Sequence, residues 1–324
     1  MSVASKAQVG AATESTYGTG VTVTNFFNFI SESLAVEQER MESESLRAGY
    51  VLNSEDWALG RKNVEGDVEM ELRPKGMGFW WAHAIGTPTT TQPDAGDNPT
   101  VYLHTFVPSP LPTSFTLQVG KPDIADTAHP FTYTGCRISS WTLECENDGF
   151  AQMTMEVLGR DTTTATALAT ASYPTANKPL TFVQGSASIG GSPAKIISFE
   201  LEAENNLADE RYFLGSPLRD NPLENDKREY SGTMEMEFNT LTDYNRFVNA
   251  SEVEVVLDFV GGVIPGGDGS YNYETKITMN VRYDSGTPMV EGPEIVPIEV
   301  EFKVIDNGTK SIKVEYTTDD ATVL

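Results

Sequence analysis

Residues 64–72 read VEGDVEMEL and residues 230–238 read YSGTMEMEF. Each stretch alternates apolar and polar residues with the period of two that a half-buried strand requires. Sliding the chain by 166 positions aligns Gly66 with Gly232, Glu69 with Glu235, Met70 with Met236, Glu71 with Glu237, Trp81 with Phe247 and Ala84 with Ala250. Upstream the offset becomes 167, aligning Leu34 with Leu201 and Glu37 with Glu204. A strand, a long charged loop, a second strand and a helix therefore occur twice in the same order, and the chain must fold as a duplicated unit. A further echo, CRISSWTLECEN at 136–147 against AKIISFELEAEN at 194–205, lies outside this offset. It is either a strand type shared within the fold or a coincidence.

The same alternation recurs through much of the chain, for instance at Trp141, Leu143 and Cys145, at Val253, Val255 and Leu257, and at Ile298, Val300 and Phe302. At least nine strands with one wet and one dry face predict a mainly β protein of two tandem antiparallel β-barrels or sandwiches. Two stretches break the pattern, 77–85 (MGFWWAHAI) and 241–248 (LTDYNRFV). In the second, Leu241, Tyr244 and Val248 fall at helical spacing behind Thr240, a residue suited to an N-cap, so each unit is predicted to carry one short helix. Segments 39–62 and 206–229 are long, charged inter-strand loops, and loops of that length are usually functional or disordered. The predicted organisation is a flexible N-terminal arm at 1–25, a first repeat at 26–161, a Thr/Ala-rich linker at 162–176, a second repeat at 177–318 and a C-terminal tail at 319–324.

Acidic residues number 47 against 22 basic ones, leaving a formal net charge of -25. That balance opposes a protein that grips nucleic-acid phosphates and fits one that must hold them off. No apolar run approaches a membrane span and no secretory signal is visible, so the chain is expected to be made and folded in a cytoplasm, with no membrane partner. Cys136 and Cys145 lie nine positions apart on one predicted strand, hence on opposite faces, and are expected to be reduced. His83, His104 and His129 have no metal-ligand spacing, and no nucleophile elbow, P-loop or HExxH motif occurs, so no catalytic residue, metal or cofactor is expected. The turn-like GGDGS at 266–270 lacks the ligand pattern of a calcium loop.

The acids that stand out lie on strands: Glu69 with Glu71, Glu144 with Glu146, Glu200 with Glu202 and Glu204, and Glu235 with Glu237. Crowded like charges cost a few tenths of a kcal/mol per cross-strand pair. Either these rows are a tolerated solvated face, or they face something negative that must not stick.

The TYGTG stretch at 16–20, FFNFISESL at 26–34, EGDVEMELRP at 65–74 before an aromatic helix ending in AIG, and the block from 214 to 238 closing on YSGTMEMEF together resemble tail tube proteins of bacteriophages with long non-contractile tails. The resemblance covers roughly 17–304. It implies a structural virion protein, not an enzyme, assembled in the host cytoplasm into stacked rings through which DNA passes without specific binding. It further implies a homo-oligomer with tape-measure and tail-end proteins as partners. A duplicated chain would form trimeric rings of hexagonal outline, with hexameric rings as the alternative. In that setting Glu69, Glu71, Glu235, Glu237, Glu202 and Glu204 are the expected lumen-lining residues. Arg40, Arg47, Arg61, Arg211, Arg219, Lys227 and Arg228 are the expected ring-stacking residues. The alternatives are another head-tail joining or decoration protein, or a β-sandwich carbohydrate-active protein, whose hint is the four tryptophans Trp57, Trp80, Trp81 and Trp141.

Overall fold

The computed structural model describes residues 3–46, 49–290 and 292–324. It is 47% strand and 7% helix. The first half contributes β1 (Gln8–Thr13), β2 (Asn25–Phe27), β3 (Ser31–Glu32), β4 (Ala35–Glu42), β5 (Trp57–Glu71), α1 (Met77–Ala84), β6 (Thr89–Thr91), β7 (Tyr102–Phe106), β8 (Phe115–Pro122), β9 (Ala128–Glu146), β10 (Gln152–Gly159) and β11 (Asp161–Thr163). The second half contributes β12 (Gly185–Ile189), β13 (Ser192–Ala194), β14 (Ile196–Glu204), β15 (Glu229–Glu237), α2 (Leu241–Val248), β16 (Glu252–Val263), β17 (Asn272–Tyr283), β18 (Pro297–Val304) and β19 (Ile312–Thr318).

The strands behave as their alternation dictates. β5 buries Val64, Val68 and Met70, with Leu72 buried just beyond its end, and β15 buries Tyr230, Met234 and Met236, while the intervening acids face outward. Gly66 and Gly232, the paired glycines of the repeat, sit under close backbone. A Cβ on Gly66 would lie 2.6 Å from the Leu34 backbone, and one on Gly232 would lie 2.1 Å from the Glu200 carbonyl oxygen. The repeated glycine is thus a packing requirement in both copies.

The repeat is visible in the register. β5 pairs with β10 so that Gly66 faces Val157, and β15 pairs with β18 so that Gly232 faces Phe302. One continuous antiparallel ladder runs β4-β5-β10-β9-β14-β15-β18. The echo left open in the sequence is the junction itself. The C-terminal half of β9 lies beside β14, Cys145 opposite Phe199 and Trp141 opposite Ala203.

Beneath this ladder a single apolar core spans both halves, including Trp81, Trp141, Leu201, Met234, Val300 and Ile277. β7 of the first half pairs with β19, which pairs with β17, so the outer walls of the halves are joined as well. Truncating Trp81, which is fully buried and meets Trp141 edge-on at 5.4 Å, would cost about 3–5 kcal/mol.

Two sequence expectations fail for identifiable reasons. The segment expected to be a flexible arm contains β1, which is paired on both sides, by β2 and β8, because Val9 and Ala11 complete the core. Cys136 and Cys145 are not on opposite faces: both are buried and free. A bulge between Glu156 and Val157 of β10 leaves Ser139 of β9 unpaired. One extra residue there resets the alternation, so Cys136 and Ile138 face the core just before it and Trp141, Leu143 and Cys145 after it.

The two helices occupy the predicted spans but differ in setting. Thr240 accepts the Thr242 backbone N–H as the N-cap of α2, none of whose residues is fully buried. All eight residues of α1 are buried. They are covered by Phe27 and Phe115 and by the C-terminal tail, where Lys75 pairs with Asp319 at 2.7 Å and the Asp320 carboxylate accepts the Gly76 N–H at 2.8 Å.

Candidate functional site

The outward face of the fused ladder gathers the acids from six strands into rows. One row runs Glu71, Gln152, Glu144, Glu200, Thr233, Glu301 across β5, β10, β9, β14, β15 and β18. The next runs Glu69, Thr154, Thr142, Glu202, Ser231, Lys303, and a third runs Asp67, Glu156, Ser140, Glu204, Glu229. A fourth carries Glu146, Ser198, Glu235 and Glu299, with Glu237 beyond it opposite Pro297. All six residues expected together from the sequence, Glu69, Glu71, Glu202, Glu204, Glu235 and Glu237, lie on this one face. Sequence reasoning passed over Glu299 and Glu301, although the alternation PIEVEFKV in β18 carried the signal.

Crowding affects the protonation of this face. Partial burial, then the Glu202 and Glu144 charges, raises the Glu200 carboxyl above its ordinary range. Partial burial, then Glu156, Glu202 and Glu229, does the same to Glu204. Few cations relieve the face: Lys303 pairs with Glu229 at 2.7 Å, and Arg73 pairs with Glu71.

The two long loops leave the ladder at equivalent points and diverge. Between β4 and β5 the chain continues as a two-stranded arm, Arg40 opposite Leu59 and Glu42 opposite Trp57. Its side chains Met41, Leu46, Tyr50, Val51, Leu52, Trp57 and Leu59 are exposed.

The segment 205–228 instead folds back over the first repeat. Arg219 is 2% exposed, donates to the Gly159 carbonyl at 3.3 Å and pairs with Glu65 at 2.6 Å. Arg228 donates to the carbonyls of Ile85 and Ser109 and pairs with Glu224 at 2.7 Å. Arg137 of β9 holds the Pro222 carbonyl at 2.9 Å. Arg211 pairs with Asp220 at 3.3 Å, Arg61 pairs with Glu210 at 2.8 Å, and Arg40 donates to the Gln38 carbonyl. Lys227 is exposed. Arg47 lies outside the described residues.

The histidines sit in structural settings. His83 is buried against Thr13 Oγ1 at 3.0 Å, and burial pulls its pKa down to about 3. His104 lies between Thr90 Oγ1 and the Asp320 carbonyl, and His129 lies beside Asp123. Among the described residues no His, Cys, Asp and Glu cluster is arranged to hold a metal ion. Trp80, Trp81 and Trp141 are buried in the core, which leaves Trp57 as the exposed tryptophan.

A β-rich subunit with a repeated strand sequence, one acidic sheet face, one projecting apolar arm and strands paired on one side has the features of a structural assembly protein. The chain belongs to the phage tail tube protein family, whose model matches residues 4–304. It is therefore a structural component of a bacteriophage virion that assembles into a multimeric tube. A search of curated proteins returned no match.

Proposed function

We propose that three copies close into a ring of hexagonal outline, each subunit supplying two of six wall positions, and that stacked rings form the tube of a long non-contractile tail. The acidic face of the fused ladder lines the bore, DNA passes along it without specific binding, and a tape-measure protein occupies the bore before ejection. The observation that carries this is the ladder itself: two copies of one module stand side by side with the acids of both on one face. Three chains at -25 put about -75 on a ring. With a Debye length of about 8 Å, that charge repels phosphates only near the wall, which favours sliding over adhesion.

Rings stack through the 43–56 arm and the 205–228 loop. Exposed apolar side chains on the arm supply the contact area. Arg40, Arg61, Arg211 and Lys227 are the cations placed to meet acids of the next ring. Arg219 and Arg228 serve the stack by holding the second loop in place.

The mass of one ring tests the closure. Three times 35.4 kDa supports it, and six times that mass would replace the trimer by a hexamer. Changing Glu69, Glu71, Glu235 and Glu237 to Lys should leave rings assembled and slow DNA ejection. Unchanged ejection kinetics would remove the electrostatic lining.

A further inference from the structure

The junction inside the chain is a finished copy of a contact that the chain's two ends leave unmade. At the junction, residues 140–146 of β9 are paired on one side by β10 and on the other by β14. Adding 145 carries β9 and β10 onto β17 and β18, and their registers agree: Val157 opposite Ile138 becomes Phe302 opposite Tyr283. Even the bulge is kept, since the N–H groups of Asp284 and Ser285 both turn to the Glu301 carbonyl oxygen. Beyond it the counterpart of 140–145 is 285–290, which forms no strand. It instead opens a groove of about 610 Å³ lined by Thr287, Met289, Pro297, Glu299 and Glu301 among others. At the other end, β3 and the start of β4, the counterparts of β14, are paired by β5 alone.

We infer that residues 285–290 become a strand on assembly by pairing with residues 32–37 of a second copy, Ala35 opposite Thr287 and Leu34 opposite Pro288. This rests on the ring proposed above and specifies its seam. The register is the β9–β14 register shifted by the two repeat offsets, so Glu202 opposite Thr142 becomes Ala35 opposite Thr287.

Two details of the free edges fit that register. Ser33 gives its N–H to the Asp67 carbonyl, which turns the Leu34 N–H and carbonyl toward the open side, and there the Leu34 N–H is held at 3.2 Å by the Glu32 carboxylate of its own chain. The residue that would face Leu34 is Pro288, which has no N–H to give. Its missing donor is already supplied, because Tyr133 donates its hydroxyl to the Leu34 carbonyl at 3.2 Å. A proline here also keeps the unjoined edge from pairing with wrong strands. Ala35 and Thr287 would form the pair that exchanges no backbone hydrogen bonds, the type whose Cβ atoms approach to about 4.5–5.5 Å.

The test mixes Ala35→Cys subunits with Thr287→Cys subunits, assembles them and oxidises them. Both positions are exposed and the two native thiols are buried. A disulfide-linked dimer should form from the mixture and from neither variant alone, and the double variant should give a covalently closed ring. The pair Glu37→Cys with Met289→Cys, out of register by four residues or about 13 Å, should not cross-link. As a second readout without substitution, the amides of 286, 287, 289 and 290 should exchange freely in the subunit and be protected in the assembly. Rings or tubes seen by microscopy without the Ala35–Thr287 cross-link, or with efficient Glu37–Met289 cross-linking, overturn this seam and leave the ring standing. Wild-type protein that never forms rings overturns both.

Discussion

The two long loops occupy the same place in the two repeats and have opposite fates. In the first, the strands run on past Glu37 into an arm whose apolar tip meets solvent, and in the second, β14 ends at Glu204 and the chain lies down on its neighbour. The difference traces to anchors. Residues 205–228 contain Arg219 and Arg228, whose guanidinium groups donate to carbonyls on β10 and after α1, and Pro222 stiffens the path between them. The first loop has alternating strand residues at its base and no comparable anchors among its described residues. The repeated sequence thus carries two similar strand pairs and two unequal loops, one reaching outward and one committed to its own subunit.

Removing the reach of the arm should have the largest effect. Replacing Leu46, Tyr50, Val51 and Leu52 with Ser is expected to leave subunit unfolding unchanged and to abolish tubes in electron micrographs while single rings persist. Normal tube growth would show that the arm does not stack rings. Releasing the other loop comes next. Arg219→Ala leaves the Gly159 carbonyl and Glu65 without their partner, and should destabilise the subunit by about 2 kcal/mol in urea unfolding. It should also open 205–228 to protease, whereas the arm's sensitivity stays as it was.

The smallest effect separates the loops from the sheet face they flank. Glu200 and Glu204 have raised folded-state pKa values, so they bind protons more tightly folded than unfolded. Their contribution to stability is full below the ordinary carboxylate range and is lost as pH rises through the raised values. Replacing both with Gln should flatten that fall and raise stability at pH 7 by a few tenths of a kcal/mol, small because both side chains are well solvated. An unchanged pH profile would mean that crowding on this face is without cost.

Much of this was legible in the residues, because strand alternation and the 166-residue offset are local or periodic signals. They placed α1 and α2, the paired strands and the six acids on one face. What escaped depended on contacts between distant segments. The bulge at Ser139 turns Cys136 and Cys145 to the same side through a one-residue mismatch that alternation alone does not reveal. The pairing of β1 with β8 needs the partner edge to be known, and the inward turn of Arg219 depends on an acceptor at Gly159. The junction did leave a trace, the likeness of 136–147 to 194–205, which has meaning once the two strands are seen side by side.

A reconstruction of the assembled tube by electron cryomicroscopy tests the central claim most directly. The account predicts three chains per ring, their fused ladders closed into one wall with the row Glu71, Glu144, Glu200 and Glu301 facing the bore. A wall in which that face is turned outward, or in which the two repeats of one chain do not stand as neighbours around the axis, would contradict it.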